Sequence, residues 1–451
     1  MPETEHTPPP VAPPALRLCN DMNLPTASRT TPRTPSWLVW LCLSRLALSL
    51  IFTAYAGVMP ILRDAWDMSA ATAATIQSAW HLGYLVSLFV VGMLADRYGA
   101  RRTYVVSGAL AALAAVAFAL GSQGYASALA LYGVAGLCSG GSYTPGLTLI
   151  YQHTDPRDRG RAMGWFLAAS SLGYAVALGT IALLTALASW RVALEVAAGS
   201  AVLGAGLGWI ALRTLRDPVP DRSAGTAKPW QAIVETLRDS TAMACNWAYT
   251  FHCWELFVVW AWLPSFLSAA GAGTVARHGG SWGIGVAGLA HVLGAAGSIV
   301  GGTASDRLGR SRVMLLLSGL SLTGSFLLGW LWGWPLWLLV SAGALYNLCA
   351  IADSSVYSTA LAETVPVSRL GTAYSVRSVM GFATGAISPV LFGAALDFGR
   401  AHFSGIPTYA WVLAWSTAGV GGLLGPVMIF RFDRLAQRSR RANPPASTKS
   451  A

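Results

Sequence analysis

Seven ionisable side chains sit inside long apolar runs of this sequence: Arg45, His81, His252, Glu255, His291, Asp353 and Arg377. An ionisable group in hydrocarbon is costly, so each is a candidate for a substrate or proton pathway. The two arginines and two acids sum to zero charge. Arg45 shares a helical face with Ser49 and Thr53. Its planar guanidinium suits a carboxylate or a phosphate, and the competing reading is a structural pair or a side chain snorkelling to the cytoplasm. Glu255 follows His252, Tyr249 and Asn246 in a three-residue row. Such a row drifts round a helix, so the four cannot all face one cavity. A His252–Glu255 pair would hold or release a proton near neutral pH, or would only tie two helices together. Asp353 is flanked by Tyr346 and Tyr357 on one face. A contest between its desolvation and a nearby arginine is what a proton-coupled switch needs, and the rival reading is a permanent salt bridge with Arg377. Arg377 lies about 9 Å from the inner end of its helix, which suits gating nearly as well as binding. His81 and His291 are 210 residues apart. An outer gate or a protonation site is open to them, although a residue inherited by duplication that bonds a neighbouring helix is the simpler reading.

The elements that position these groups are membrane helices. Apolar residues make up 54% of the chain and charged residues 11%, where a soluble domain carries about 25% charged. The net charge of +11 does not indicate nucleic acid, because Lys and Arg cluster in alternate loops between apolar runs. Twelve segments are long enough to span a bilayer: 37–59, 73–95, 103–121, 125–151, 162–187, 192–214, 241–267, 281–304, 313–333, 335–361, 371–396 and 407–430. With both termini inside, the inner segments hold 24 Lys and Arg and the outer loops hold 4, the bias of a cytoplasmic face. Ser69 is an expected helix cap before the second span. Of the cysteines, all but Cys19 lie in apolar runs, and we expect small core residues rather than disulfides. Residues 1–35 are rich in Pro, Thr and Ser and predict a disordered cytoplasmic tail rather than a signal peptide. The tail 432–451 is also expected to be cytoplasmic.

A polar hinge is repeated. Gly92 to Arg102 separates spans two and three, and Gly302 to Arg312 separates spans eight and nine. Gly92, Asp96, Arg97 and Gly99 fall on Gly302, Asp306, Arg307 and Gly309 at an offset of 210 residues. Arg101 and Arg102 add charge that hydrocarbon would not accept, and the glycines should let two backbones approach and turn. Pro156 and Arg159 recur as Pro366 and Arg369 at the same offset. The polar stretch 215–239 divides the chain into halves of six spans, 36–214 and 240–431. That period is the size of half a transporter.

These motifs, with Arg159 to Gly164 entering span five, resemble the major facilitator superfamily of secondary transporters, in its less characterised bacterial members, over residues 37–431. The resemblance implies an all-α membrane protein of twelve transmembrane helices in two pseudo-symmetric six-helix bundles. It also implies a central cavity lined by helices one, four, seven and ten. By the same analogy Asp96 and Asp306 would each meet the positive N-terminus of a helix in the other bundle and latch the cytoplasmic side closed. Three departures narrow the function. Tyr132 stands where many members carry an arginine four residues before Gly136. The run Ser171 to Gly179 lacks the proline of proton-coupled drug exporters. His81 and His291 lie in the helices where nitrate and nitrite porters carry arginines. The stretch from Tyr249 to Leu263 resembles bacterial members without pointing to a substrate.

The expected function is proton-coupled symport of a small organic anion across a bacterial inner membrane by a monomer. Protonating Glu255 and Asp353 would leave Arg45 and Arg377 to neutralise the anion. The alternatives are an antiporter exporting drugs or organic cations, or a transporter-like sensor. An enzyme is not expected: no phosphate loop, zinc spacing, cofactor motif or nucleic-acid signal is present, and the expected partners are lipid, substrate and protons.

Overall fold

The computed structural model describes residues 35–155, 159–216, 229–272, 279–366, 369–403 and 405–442. The expected tail up to residue 34, with Cys19, and the middle of the stretch between the halves lie outside them. The described residues form sixteen α-helices and no strand. They are α1 (Ser36–Ala65), α2 (Ala70–Tyr98), α3 (Ala100–Gly121), α4 (Tyr125–Ser139), α5 (Thr144–His153), α6 (Arg159–Leu187), α7 (Trp190–Leu212) and α8 (Pro229–Arg238). There follow α9 (Ser240–Ala272), α10 (Gly279–Leu308), α11 (Arg310–Leu327), α12 (Leu336–Ala352), α13 (Ser354–Ala362), α14 (Leu370–His402), α15 (Pro407–Gly422) and α16 (Leu424–Ala442). In a bilayer only a helix or a closed barrel satisfies its own backbone, and these apolar segments take the first route.

Among the described residues, eleven stretches are long and apolar enough to cross a membrane. The expected fourth span is not among them, because it is divided into two short helices. A short tight turn, Gly140–Ser142, parts α4 from α5. Pro145 in the first turn of α5 has no N–H to continue the ladder. The expected tenth span bends at the matching place, where Asp353 separates α12 from α13. The 210-residue offset maps Tyr143 onto Asp353. Two further boundaries differ from expectation. The polar stretch between the halves carries α8, and α16 runs past residue 431 to Ala442.

Ser69 caps α2 as expected, its hydroxyl accepting from the Thr72 N–H at 3.1 Å. The two hinges share one backbone shape: Gly99 has φ 92° and Gly309 φ 91°. A side chain would strain that turn, so these two glycines are required where the helices reverse. Cys42, Cys138, Cys245, Cys253 and Cys349 are free thiols.

Helix pairs within each half meet backbone to backbone. A Cβ on Gly136 would lie 2.1 Å from the Trp80 carbonyl oxygen, and one on Gly301 would lie 2.2 Å from that of Ala352. These contacts join α4 to α2 and α12 to α10. Close approach of this kind is how helices associate where lipid is as apolar as the side chains. Outside it lies a lipid-type surface, with Leu113, Leu187 and Ile299 at least 66% exposed. Replacing Gly136 with valine should therefore push α2 and α4 apart. The expected outcome is a melting temperature lower by several degrees in detergent, since overpacking costs about 1–3 kcal/mol. An unchanged melting curve would contradict the contact.

Candidate functional site

Arg45 projects from α1 into the first half and is buried. Its Nε donates to Ser170 Oγ on α6 at 2.7 Å, and its Nη1 donates to Ser142 Oγ at the α4–α5 break at 2.7 Å. Ser142 in turn donates to the Ser139 carbonyl. The Tyr143 and Phe166 rings lie 5.3 and 5.7 Å from the guanidinium carbon. The side chain is thus drawn sideways into the protein and does not snorkel along its helix. Among the described residues no ion pair involves it.

The second half holds two polar clusters, and the expected pairings are rearranged between them. Glu255 accepts from Ser321 Oγ at 2.5 Å and Ser325 Oγ at 3.0 Å, both on α11, and Ser325 also meets the Tyr346 hydroxyl at 2.6 Å. His252 pairs instead with Asp353, Nδ1 to Oδ1 at 3.0 Å, and its Nε2 lies 2.9 Å from Ser354 Oγ. The His252–Glu255 pair is therefore not formed. Three residues turn a helix by about 300°, which aims the two side chains at different neighbours. The approach of His252 to Asp353 is a close charge contact rather than a directed hydrogen bond, as Oδ1 has no aligned donor.

The rival reading of Asp353, a bridge to Arg377, is not formed either. Arg377 Nη1 donates to Ser358 Oγ at 2.8 Å, and its guanidinium lies 4.5 Å from the Tyr249 ring centre and 4.8 Å from that of Tyr374. Like Arg45, it takes part in no ion pair among the described residues. Among the described residues its Nε is buried without a partner, as are the Tyr357 hydroxyl and Asn246 Oδ1. The Tyr249 ring lies 5.5 Å from His252. One short helix thus organises this cluster: Ser354 and Ser358, a turn apart on α13, serve the His252–Asp353 pair and Arg377 respectively. The two halves meet beside this cluster, where the Tyr84 ring of α2 lies 4.9 Å from Phe382, five residues beyond Arg377 on α14.

The end remote from the hinges is closed. α2 packs along α14, α6 along α10 and α1 against α9. Phe52 meets Trp260, Tyr84 meets Phe382, and Tyr174 touches both Trp260 and His291. His81 sits in this layer with Nδ1 at the Gln77 carbonyl, 2.9 Å away, and its ring edge against Phe257. Neither His81 nor His291 approaches Arg45 or Arg377 in any contact of this layer. Beyond them Asp397, at the far end of α14, accepts from the Ala70 and Ala71 N–H groups, both at 2.8 Å. A carboxylate on the first turn of α2 is favoured by charge as well as by hydrogen bonding.

At the hinge end, Asp306 receives Arg310 of its own half at 2.5 Å, and Arg310 also reaches Glu363. Arg101 donates to the carbonyls of Leu215 and Arg213 beyond α7. Arg97 lies over Tyr98, and Arg307 is exposed. Gly92 does not serve a close approach, since a Cβ there would meet open space, whereas one on Gly302 would touch Ser355 Oγ at 3.5 Å. The Asp96 side chain lies outside the described residues.

The sequence reading missed the serine partners of both arginines, the place of Tyr143 and the contact made by Asp397. The repeat offset from Asp353 leads to Tyr143, so that signal was present. Nothing local marks Ser142, Ser170, Ser354 or Ser358 among many serines. The Asp397 contact makes a test. Asp397→Asn should open the far end, seen as faster labelling of a cysteine placed at Ser281 in a cysteine-free background. An unchanged labelling rate would contradict a latch.

Comparison with known proteins bears on the family and the fold. A model described as Major Facilitator Superfamily matches residues 41–297, more than half of the chain. A probable 4-methylmuconolactone transporter of Cupriavidus pinatubonensis is 26% identical over 62% of this chain and 65% of its own length. A probable sulfoacetate transporter of Cupriavidus necator is 27% identical over 47% of this chain and 52% of its own. The chain thus spans less than two thirds of either. A hexuronate transporter of Bacillus subtilis is 24% identical over 83% of this chain and 89% of its own length. Among solved structures, an inward-facing bacterial homologue of the lysosomal transporter Spinster superposes with a TM-score of 0.70 at 15% identity, covering 90% of this chain and 98% of that one. The nucleoside transporter NupG superposes equally well, at 14% identity, over 88% of this chain and 99% of its own. At such identities the likeness is one of fold.

Proposed function

We propose that this protein, which belongs to the Major Facilitator Superfamily, carries a small organic anion across a cell membrane by alternating access, coupled to protons. The observation that carries the reading is a pair of buried guanidinium groups, Arg45 and Arg377, held by hydroxyls and rings with no carboxylate on either among the described residues. A buried cation that lacks an anion is expensive, and an anionic substrate would supply it. Three similar proteins named for small organic acids point the same way.

The proton site on this reading is the His252–Asp353 pair. It sits at the α12–α13 break, one helical turn from the serine that holds Arg377. On this reading Glu255, turned toward the serines of α11, takes no part in the proton step. Alternating access would rock the bundle 36–214 against the bundle 240–431. Asp397 on α2 would close the outer side, and Asp96 with Asp306 would close the cytoplasmic side in the opposite state. With both termini cytoplasmic, the state described above is closed outward. Asp306 bonded within its own half fits an unlatched cytoplasmic side. A bacterial inner membrane and a monomeric protein complete the proposal.

The test is proton movement in proteoliposomes carrying an internal pH dye, with small carboxylates and then organic cations added outside. Wild type should acidify the lumen with a carboxylate. Arg45→Gln should lose the response by about a hundredfold, the scale of truncating a buried charged contact. Asp353→Asn should carry the anion without the proton signal, and Glu255→Gln should keep both. Proton flux driven only by cations would overturn the reading.

A further inference from the structure

We infer that the substrate carries two acidic groups, one received by Arg45 of the first half and the other by Arg377 of the second. The inference rests on the anion reading above and goes beyond it to the charge and shape of the ligand.

A guanidinium offers five N–H donors. The contacts described use two on Arg45 and one on Arg377. The acceptors in these contacts are serine hydroxyls, and the Tyr84 hydroxyl also neighbours Arg45; all are neutral. Among the described residues the arginines share no counter-ion. Asp353 is engaged by His252, and Glu255 faces the serines of α11. A ligand with a single carboxylate would neutralise one guanidinium and leave the other against hydroxyls and rings. A dianion serves both.

The surroundings favour a bridge. Tyr143 stands beside Arg45, Tyr249 and Tyr374 stand beside Arg377, and the halves touch close by, where the Tyr84 ring of α2 lies 4.9 Å from Phe382, five residues beyond Arg377 on α14. A ring against a guanidinium face leaves its N–H edge for in-plane, two-point recognition of a carboxylate or sulfonate. The orphaned Nε of Arg377 is a buried donor aimed at no acceptor. Mechanically, a ligand held by one half alone does not favour either state of the protein. A ligand held by both favours the state in which its two ends are gripped together.

The test uses the full-length protein in detergent at pH 8, with binding read from tryptophan fluorescence and thermal shift. Matched pairs of probes differ by one acidic group: succinate against butyrate, glutarate against valerate, and adipate against hexanoate. At least one dicarboxylate should bind ten-fold or more tightly than its monocarboxylate. Arg377→Gln should reduce that dicarboxylate to the affinity of its partner while the monocarboxylate changes less than three-fold. Arg377→Lys, which keeps the charge, should retain part of the preference and shows that the site is intact. Equal binding of every pair in wild type, or equal weakening of both members in Arg377→Gln, overturns the dianion inference and leaves the anion reading standing. Binding of neither class overturns both.

Discussion

The constraint on which this structure turns is the cost of a buried guanidinium without a carboxylate. Desolvating an arginine costs several kcal/mol even after relaxation. Serine hydroxyls and tyrosine faces return part of that, but they carry no net charge. Arg45 and Arg377 nevertheless sit among them, one in each half. Acids are available at similar depth and are used elsewhere: Glu255 by the serines of α11, Asp353 by His252. The protein thus holds two cations ready while its own carboxylates are occupied. Such an arrangement favours an anion that arrives from outside.

Two helix breaks make the arrangement possible. A continuous helix has no free groups at mid-length and presents its side chains on fixed faces. The turn at Gly140–Ser142 brings Ser142 under Arg45, and the bend at Asp353 starts a new helix whose first turns carry Ser354 and Ser358. Broken helices at matching places of two halves are a recurrent way to build a site at the middle of a membrane. The closed end depends on a different device. There α2 and α14 lie together, glycines and aromatic rings fill the seam, and Asp397 ties the two halves through backbone N–H groups. A contact of this kind depends on a helix end rather than a side-chain partner, so rocking can make or break it without repacking a core.

Much of the fold was legible in the sequence. Apolar runs of spanning length have one stable answer in a bilayer, and the hinge at Gly99 returned at Gly309 with the same backbone turn. The break in the fourth span was not read, because Gly, Ser and Pro occur throughout these helices and few of them interrupt one. The short helix α8 lies in a stretch whose polarity suggested a loop. At the site, residue identity was readable and partnership was not. Helical spacing assigns a face, while a 60° difference in direction decided that His252 would meet Asp353 and Glu255 would meet Ser321. The serines that hold the arginines had no signal of their own. Asp397 lay at the edge of its apolar run, where an acid usually reads as a solvated helix end.

An experimental structure of the protein with a carboxylate bound would test the central claim most directly. The account predicts the anion's oxygens within hydrogen-bond reach of Arg45 in the first half and Arg377 in the second, with His252 and Asp353 still beside each other. An anion held elsewhere, with both guanidinium groups still on Ser142, Ser170 and Ser358 alone, would contradict it.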